Sequence, residues 1–361
     1  MKTRSEKIRG IPFHIWTYLR RARPAIEVAG DEPPLRAELF SRDQMKRHAI
    51  RLADSHKLSL ERPSALLLTR LAENEKILIG ARSLLTTAVE VNRRIVPAGE
   101  WLLDNFYLVE EQIRTTRRHL PKGYSVELPR LQNGPSAGLP RVFDIALEII
   151  SHGDGGIDPK SLSSFIAAYQ TVTELKLGEL WAIPIMLRLA LIENLRRVTG
   201  RIAMGQIDRN LANTWADKMM ETAEKDPKSL ILAIADMAWS NPPMRGSFVA
   251  EFARRLQGQS TALALPVSWM EQCLAELGLT LEQLVQAENR QQAADQVSMS
   301  NSIGSLRFLG AMDWHEFIET MSVVERTLRK DPGGVYGMMD FATRDRYRHV
   351  VEKISKKSQQ S

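Results

Sequence analysis

The longest continuous apolar pattern in the chain runs from Leu175 to Arg197, LKLGELWAIPIMLRLALIENLRR. A helix that is hydrophobic on every side is buried in protein or in a membrane. Arg188 and Glu193 interrupt this run, and the apolar stretch between charges is too short to span a bilayer. It therefore reads as the central buried helix of an all-α fold, with a solvent face opening only at Glu193. Pro184 is expected to kink the helix or restart it, because proline lacks the amide donor and clashes with the preceding turn.

Helical periodicity governs most of the remaining chain. Leu67, Leu71, Ile77, Leu78, Leu84, Leu85 and Val89 recur at three- and four-residue intervals, predicting a helix over 64–94. Pro97 opens the next, where a missing donor is harmless. Its acids come early (Glu100, Asp104) and its bases late (Arg114, Arg117, Arg118), as the helix dipole favours, and Leu102, Phe106, Val109 and Ile113 form its apolar stripe. These two helices, ending near 119, read as an antiparallel pair. A long Pro/Gly-rich loop leads to a helix over 141–151, and HGDGGIDP reads as its C-terminal cap followed by Asp158 capping a new helix with Pro159 in its first turn. Further helices are predicted near 208–224, after a break at Gly200, and over 227–239, 243–257 and 268–277. Thr280 and Gln283 form a capping-box pattern for the next. Two more helices follow, and residues 340–356 supply the last. No convincing strand alternation or fixed-period repeat occurs, so the chain reads as an irregular multi-helix bundle around the central helix.

Residues 1–63 differ from this pattern. They are basic and broken by Pro24, Pro33, Pro34 and Pro63, and read as a partly irregular segment ahead of a helical domain over 64–361. Phe13, Trp16 and Tyr18 beside Arg20, Arg21 and Arg23 suit either a lipid headgroup layer or a short helix packed on the body, the second being favoured. Charged residues make up 25% and hydrophobic ones 43% of 361 positions, the balance of a globular chain rather than a disordered one. The net charge of +6 comes from 49 basic and 43 acidic residues mixed along the chain, which argues against nucleic-acid binding. One cysteine, Cys273, excludes an internal disulfide framework. No signal-peptide pattern is present, giving a cytoplasmic expectation.

Candidate chemistry is sparse. Glu100 and Asp104 share a helix face, and Glu179 lies in the first turn of the central helix, so these three are the candidate catalytic acids. Trp101, Tyr107, Tyr124, Tyr169 and Trp181 stand in polar company and are the candidates for stacking on sugars, although each also suits a helix core or its rim. None of the seven histidines pairs with another at i, i+4, and no metal site is expected. Hydrolase-elbow, P-loop and dinucleotide fingerprints are absent.

Several long blocks nevertheless resemble one family. EWLLDNFYLVEEQIRTTRRHLPKGYSVELPRL, PRVFDIALEIISHGDGGIDP, AYQTVTELKLGELWAIPIMLRLALIENLRR and the run from Gln286 to Ile354 look like the cyclic β-1,2-glucan synthases, large bacterial inner-membrane glycosyltransferases. The resemblance extends from about Ala72 to Lys356. It implies UDP-glucose and a divalent cation for a full-length enzyme, with glucan growing on the protein before cyclisation and Tyr107, Tyr124 and Tyr169 as the candidate acceptors if this region carries it. It also implies that this chain corresponds to the region ahead of the membrane segments and catalytic core. No DxD-type pair, QxxRW-like motif or membrane span is found here, so no cofactor is expected in this chain. The expectation is a truncated N-terminal module, cytoplasmic and at the inner membrane, whose partners are the remaining synthase domains or protein-linked glucan. The alternative is a stand-alone helical interaction module or a nonfunctional remnant.

Overall fold

The helical periodicity carries through into the computed structural model, which describes residues 32–35, 38–59, 66–120 and 128–358. Fourteen α-helices lie among the described residues, so the all-α class holds. They are α1 (Arg42–Ser55), α2 (Leu66–Glu90), α3 (Pro97–Asp104), α4 (Phe106–His119), α5 (Arg141–His152), α6 (Pro159–Tyr169) and α7 (Leu177–Lys225). Then come α8 (Leu230–Trp239), α9 (Gly246–Leu256), α10 (Ala264–Glu276), α11 (Leu281–Ala311), α12 (Trp314–Met321), α13 (Val323–Leu328) and α14 (Phe341–Lys357). A two-residue antiparallel ladder, β1 (Leu58–Ser59) with β2 (Arg130–Leu131), pairs Leu58 with Leu131. No described helix is long and apolar enough to cross a membrane.

The chain forms two compact units. The first comprises Met1–Pro34, Glu73–Tyr107 and Leu195–Ser300, and the second Leu35–Ala72, Leu108–Asn194 and Asn301–Ser361. The expected boundary at 63/64, the aromatic–arginine segment near Trp16, and Tyr124 all lie outside the described residues. In the first unit, Ala212, Ala216 and Met219 of α7 meet Met237 of α8, Phe248 and Phe252 of α9, and Met270 and Leu274 of α10. The Phe248 and Phe252 rings stack at 5.8 Å.

In the second unit, the start of α7 is the enclosed element the apolar run predicts. Leu180, Ile183, Met186, Leu187, Ala190 and Leu191 are all buried. Glu193 is buried too, contrary to the solvent face expected there, because Arg70 donates to both of its oxygens at 3.0 and 2.9 Å. Arg188 donates to Gln112 Oε1 at 2.9 Å and to the Leu309 carbonyl at 3.1 Å, and burial pulls its pKa below the ordinary value. Paired in this way, both charges stay inside the helix without opening it to water.

The helix does not restart at Pro184, and the break expected at Gly200 is absent, since α7 runs unbroken through both for 49 residues. A mid-helix glycine costs only about 1 kcal/mol and an interior proline about 3 kcal/mol. Burying the neighbouring Ile183, Ile185, Val198, Ile202 and Ala203 outweighs both. Conversely, the single helix expected over 97–119 is interrupted at Asn105, whose side-chain amide donates to the Trp101 carbonyl at 2.8 Å. The cap motifs fold as their spacing predicts. Asp158 Oδ2 accepts from the Ser161 amide at 2.8 Å, and Thr280 and Gln283 exchange reciprocal bonds at 3.0 and 3.2 Å. Between α5 and α6 the backbone folds back so tightly that a Cβ on Gly153 would lie 2.6 Å from the Gly156 carbonyl oxygen.

Candidate functional site

Three polar helix faces converge in the first unit. Arg201, Gly205, Asp208 and Arg209 recur on one face of α7, and Glu288, Gln291, Gln292 and Asp295 on one face of α11, each set at helical spacing. One face of α9 supplies Ser247, Glu251 and Arg254. Together they line two adjoining cavities of about 110 and 190 Å³, which share Arg209, Ser247, Glu288 and Gln292. Two glycines permit the approach. A Cβ on Gly246 would press on the Leu284 carbonyl and Glu288 Cβ, each at 3.2 Å, and one on Gly205 would stand 3.2 Å from Arg209 Nη1.

The charges of the cleft are paired with one another. Arg209 reaches Glu288 at 3.3 Å, and Gln292 donates to the same carboxylate at 2.7 Å. Ser247 Oγ donates to Asp208 Oδ2 at 2.8 Å. Arg254 grips Glu251 with two bonds of 3.0 and 2.6 Å. Asp295 accepts from Gln291 at 2.9 Å and pairs directly with Arg201. Burial nonetheless dominates both aspartates. It pushes Asp208 above the usual carboxylate range, and Asp295 up to about 6 against the opposing pull of Arg201.

A pH dependence follows from Asp295. A carboxyl with a raised folded-state pKa binds its proton more tightly in the folded chain, so its contribution is complete at low pH and is lost as pH rises from about 4 to 6. The loss amounts to about 3 kcal/mol at most. Chemical unfolding of the native chain and of Asp295→Asn at pH 4 and pH 7 checks this. The native chain is expected to lose stability relative to the variant over that interval, and an unchanged difference would refute the assignment.

The acids and aromatics singled out in the sequence fall into two groups. Glu100, Trp101, Asp104 and Tyr107 belong to the first unit, and all four are exposed, Trp101 by 41% and Tyr107 by 62%. At positions i, i+1, i+4 and i+7 they present two ring faces and two carboxylates to solvent.

Tyr169, Glu179 and Trp181 belong to the second unit and are differently placed. Glu179 is fully buried, and Arg141 binds both its oxygens at 2.6 Å. Burial alone would weaken the Arg141 charge, but the bond to Glu179 and its charge hold the guanidinium above its ordinary pKa. Glu179 is thereby occupied as a buried ion-pair partner rather than standing as an acid at a groove. The Tyr169 hydroxyl is likewise enclosed, 2.8 Å from His56 Nδ1, while His56 Nε2 meets Asp144 at 3.0 Å. Desolvation raises Tyr169 to about 12, leaving an enclosed neutral phenol rather than an accessible acceptor. Trp181 packs edge-on against His315 and Phe341, and its indole N–H has no hydrogen-bond partner among the described residues.

The first unit's cleft was not singled out in the sequence. Its signal is present in RIAMGQIDR and ENRQQAAD, but a polar stripe at helical spacing ordinarily marks a solvated face. Only the packing of α7, α9 and α11 turns these stripes inward.

The chain is similar to the cyclic beta-(1,2)-glucan synthase NdvB of Rhizobium meliloti (strain 1021), with 32% identity over 287 residues. That alignment covers 79% of this chain and 10% of the relative, so the chain spans about a tenth of the curated protein it matches. No protein-family model matches the chain.

Proposed function

Because the chain shares a family relationship with the cyclic β-1,2-glucan synthases, we propose that it is a helical, non-catalytic module that positions glucan during UDP-glucose-dependent synthesis of cyclic β-1,2-glucan. One observation supports this reading over a purely structural one. Glu100, Trp101, Asp104 and Tyr107 emerge together into solvent, offering ring faces to the C–H side of glucose units and carboxylates to their hydroxyls. The partners in this reading are the other synthase domains and the protein-linked glucan, at the cytoplasmic face of the inner membrane. Tyr107 is the exposed phenol best placed to accept a glucosyl group.

UDP-glucose and its divalent cation enter as requirements of a complete synthase. A hard cation at a nucleotide sugar prefers oxygen donors. Among the described residues, the one cluster of three metal-ligating groups is His48, Glu148 and His152, which is nitrogen-rich and does not fit that role.

The test is calorimetric titration of the full chain with linear β-1,2-glucan. Binding is expected, weakened about tenfold or more in Trp101→Ala/Tyr107→Ala if each ring contributes about 1 kcal/mol, with an unchanged thermal midpoint. Absence of binding by the native chain would overturn the glucan-positioning role. Labelled glucose transferred from UDP-glucose by the purified chain would overturn the non-catalytic part.

A second reading, a helical interaction module without carbohydrate activity, is favoured by the apolar exposure of α8. Ile231, Leu232 and Trp239 there are 65%, 68% and 92% exposed. Such side chains in one short helix suit a protein partner.

A further inference from the structure

The second unit brings together three metal-ligating side chains that lie far apart in sequence. His48 comes from the middle of α1, while Glu148 and His152 lie one turn apart at the end of α5. His48 Nε2 is 2.6 Å from Glu148 Oε2, and His152 Nε2 is 3.3 Å from the same oxygen. All three donor atoms lie within 4.8 Å of one another.

The hydrogen bonding around His152 sets which ring nitrogen faces the carboxylate. Its Nδ1 lies 2.7 Å from the Glu38 carbonyl oxygen, which can only accept, so Nδ1 carries a proton. Its Nε2 is thereby left to face Glu148 Oε2 at 3.3 Å, the side of the ring from which a metal would be bound. A backbone carbonyl on the far nitrogen is also how metal-bound histidines are held in the correct tautomer.

The rings are fixed before any ion arrives. Phe40 stacks on His152 with centroids 3.8 Å apart and planes 9° apart, and the Phe40 amide donates to the His152 carbonyl at 3.2 Å. The His48 ring stands edge-on to both. The three side chains are partly screened, with 20%, 30% and 11% exposure for His48, Glu148 and His152. A cavity of about 260 Å³ lined by Phe40, Arg42, His152 and Asp158 borders the cluster at His152.

We propose that His48 Nε2, His152 Nε2 and Glu148 Oε2 form a binding site for a divalent transition-metal ion, with zinc the best match, separate from any cation used with UDP-glucose. Two imidazoles and one carboxylate form an established zinc donor set, and three protein ligands leave a fourth position for water or another ligand. Zinc bonds of 2.0–2.1 Å in a tetrahedron place donors about 3.3 Å apart. The His152–Glu148 separation already has this value, and the His48–Glu148 contact opens to it by side-chain rotation. Nitrogen donors disfavour magnesium and calcium. Bound metal would tie α1 and the strand of chain at Glu38–Phe40 to the end of α5.

The experiment uses the untagged, full-length chain stripped of metal. Titration with zinc against a chromophoric chelator is expected to show one tight site, and cobalt substituted for zinc should give the visible bands of a tetrahedral nitrogen–oxygen site. His48→Asn/His152→Asn is expected to weaken zinc binding by more than about tenfold and to abolish the zinc-dependent rise in thermal midpoint. His315→Asn, outside the cluster, should leave both unchanged. Absence of a stoichiometric zinc site in the native chain, or one that survives in the double variant, would overturn the proposal. If the double variant does not fold, X-ray absorption of the zinc-loaded native chain decides. Two imidazole scatterers per zinc support the site, and fewer than two overturn it.

Discussion

Replacing Arg141 with methionine is expected to lower the unfolding free energy by about 3–5 kcal/mol, because it strands Glu179 as a buried charge. The arginine side chain is 2% exposed and the glutamate 1%, so solvent cannot compensate either one alone. Arg141 Nε and Nη2 hold the two Glu179 oxygens, and Nη2 also donates to the Glu174 carbonyl at 2.8 Å. Without the guanidinium, the Lys176 amide at 2.9 Å is the donor left to that carboxylate among the described residues. Arg141→Met/Glu179→Leu removes both charges and is expected to recover most of the loss, since well-packed apolar replacements of buried pairs are often neutral. Urea unfolding of the singles and the double measures the coupling directly. A single-variant cost below about 1 kcal/mol would show that water reaches the pair and would undo this account. In a glucan synthase carrying Glu179→Ala, glucan formation should fall no further than the folded fraction does. A larger fall would restore a direct role for Glu179.

This pair shows why the helices were legible in the sequence and the site largely was not. Periodicity identifies an enclosed helix around Leu180–Leu191 because burial on all sides leaves no polar face. It also places the caps, since Asp158 and Thr280 act on backbone only three residues away. It allows a restart at Pro184 and expects a break at Gly200, where a local penalty loses to burial distributed over many neighbours. Long-range polar pairing leaves no local mark. Arg141 is 38 residues from Glu179, and His48 is 100 residues from Glu148. The polar stripe from Arg201 to Arg209 reads as a solvated face until α11 closes over it. Trp101 and Tyr107 are polar-flanked aromatics in the sequence, but the same description fits Tyr169, and only tertiary structure separates the exposed pair from the buried phenol.

The C-terminal helix gives the other large expected effect, because charge rather than apolar area holds it. Much of α14 faces solvent, including Tyr347, Val350 and Ile354, whereas Arg348 is completely buried. Its Nη1 donates to Glu319 at 2.9 Å and to Glu325 at 2.6 Å, and its Nη2 to Asp345 at 3.1 Å. Glu325 also accepts from Arg329 at 2.9 Å and from the Tyr336 hydroxyl at 2.7 Å. Arg344 binds both oxygens of Glu319 at 3.0 Å. Burial opposes the Arg348 charge, yet these carboxylates hold its pKa well above the ordinary value. Arg348→Met keeps the stem that packs near the Phe341 ring but leaves Glu325 without its central cation. A cost of about 3 kcal/mol or more is expected, felt first in the element with the least apolar anchoring. Amide exchange should therefore quicken by about 100-fold or more through Phe341–Lys357, while α5 and α6 keep their protection. Arg348→Lys should rescue little, because one ammonium cannot span three carboxylates with the geometry of a guanidinium fork. Unchanged exchange in α14 of the methionine variant would mean that the helix is held by packing and that the ion network is secondary.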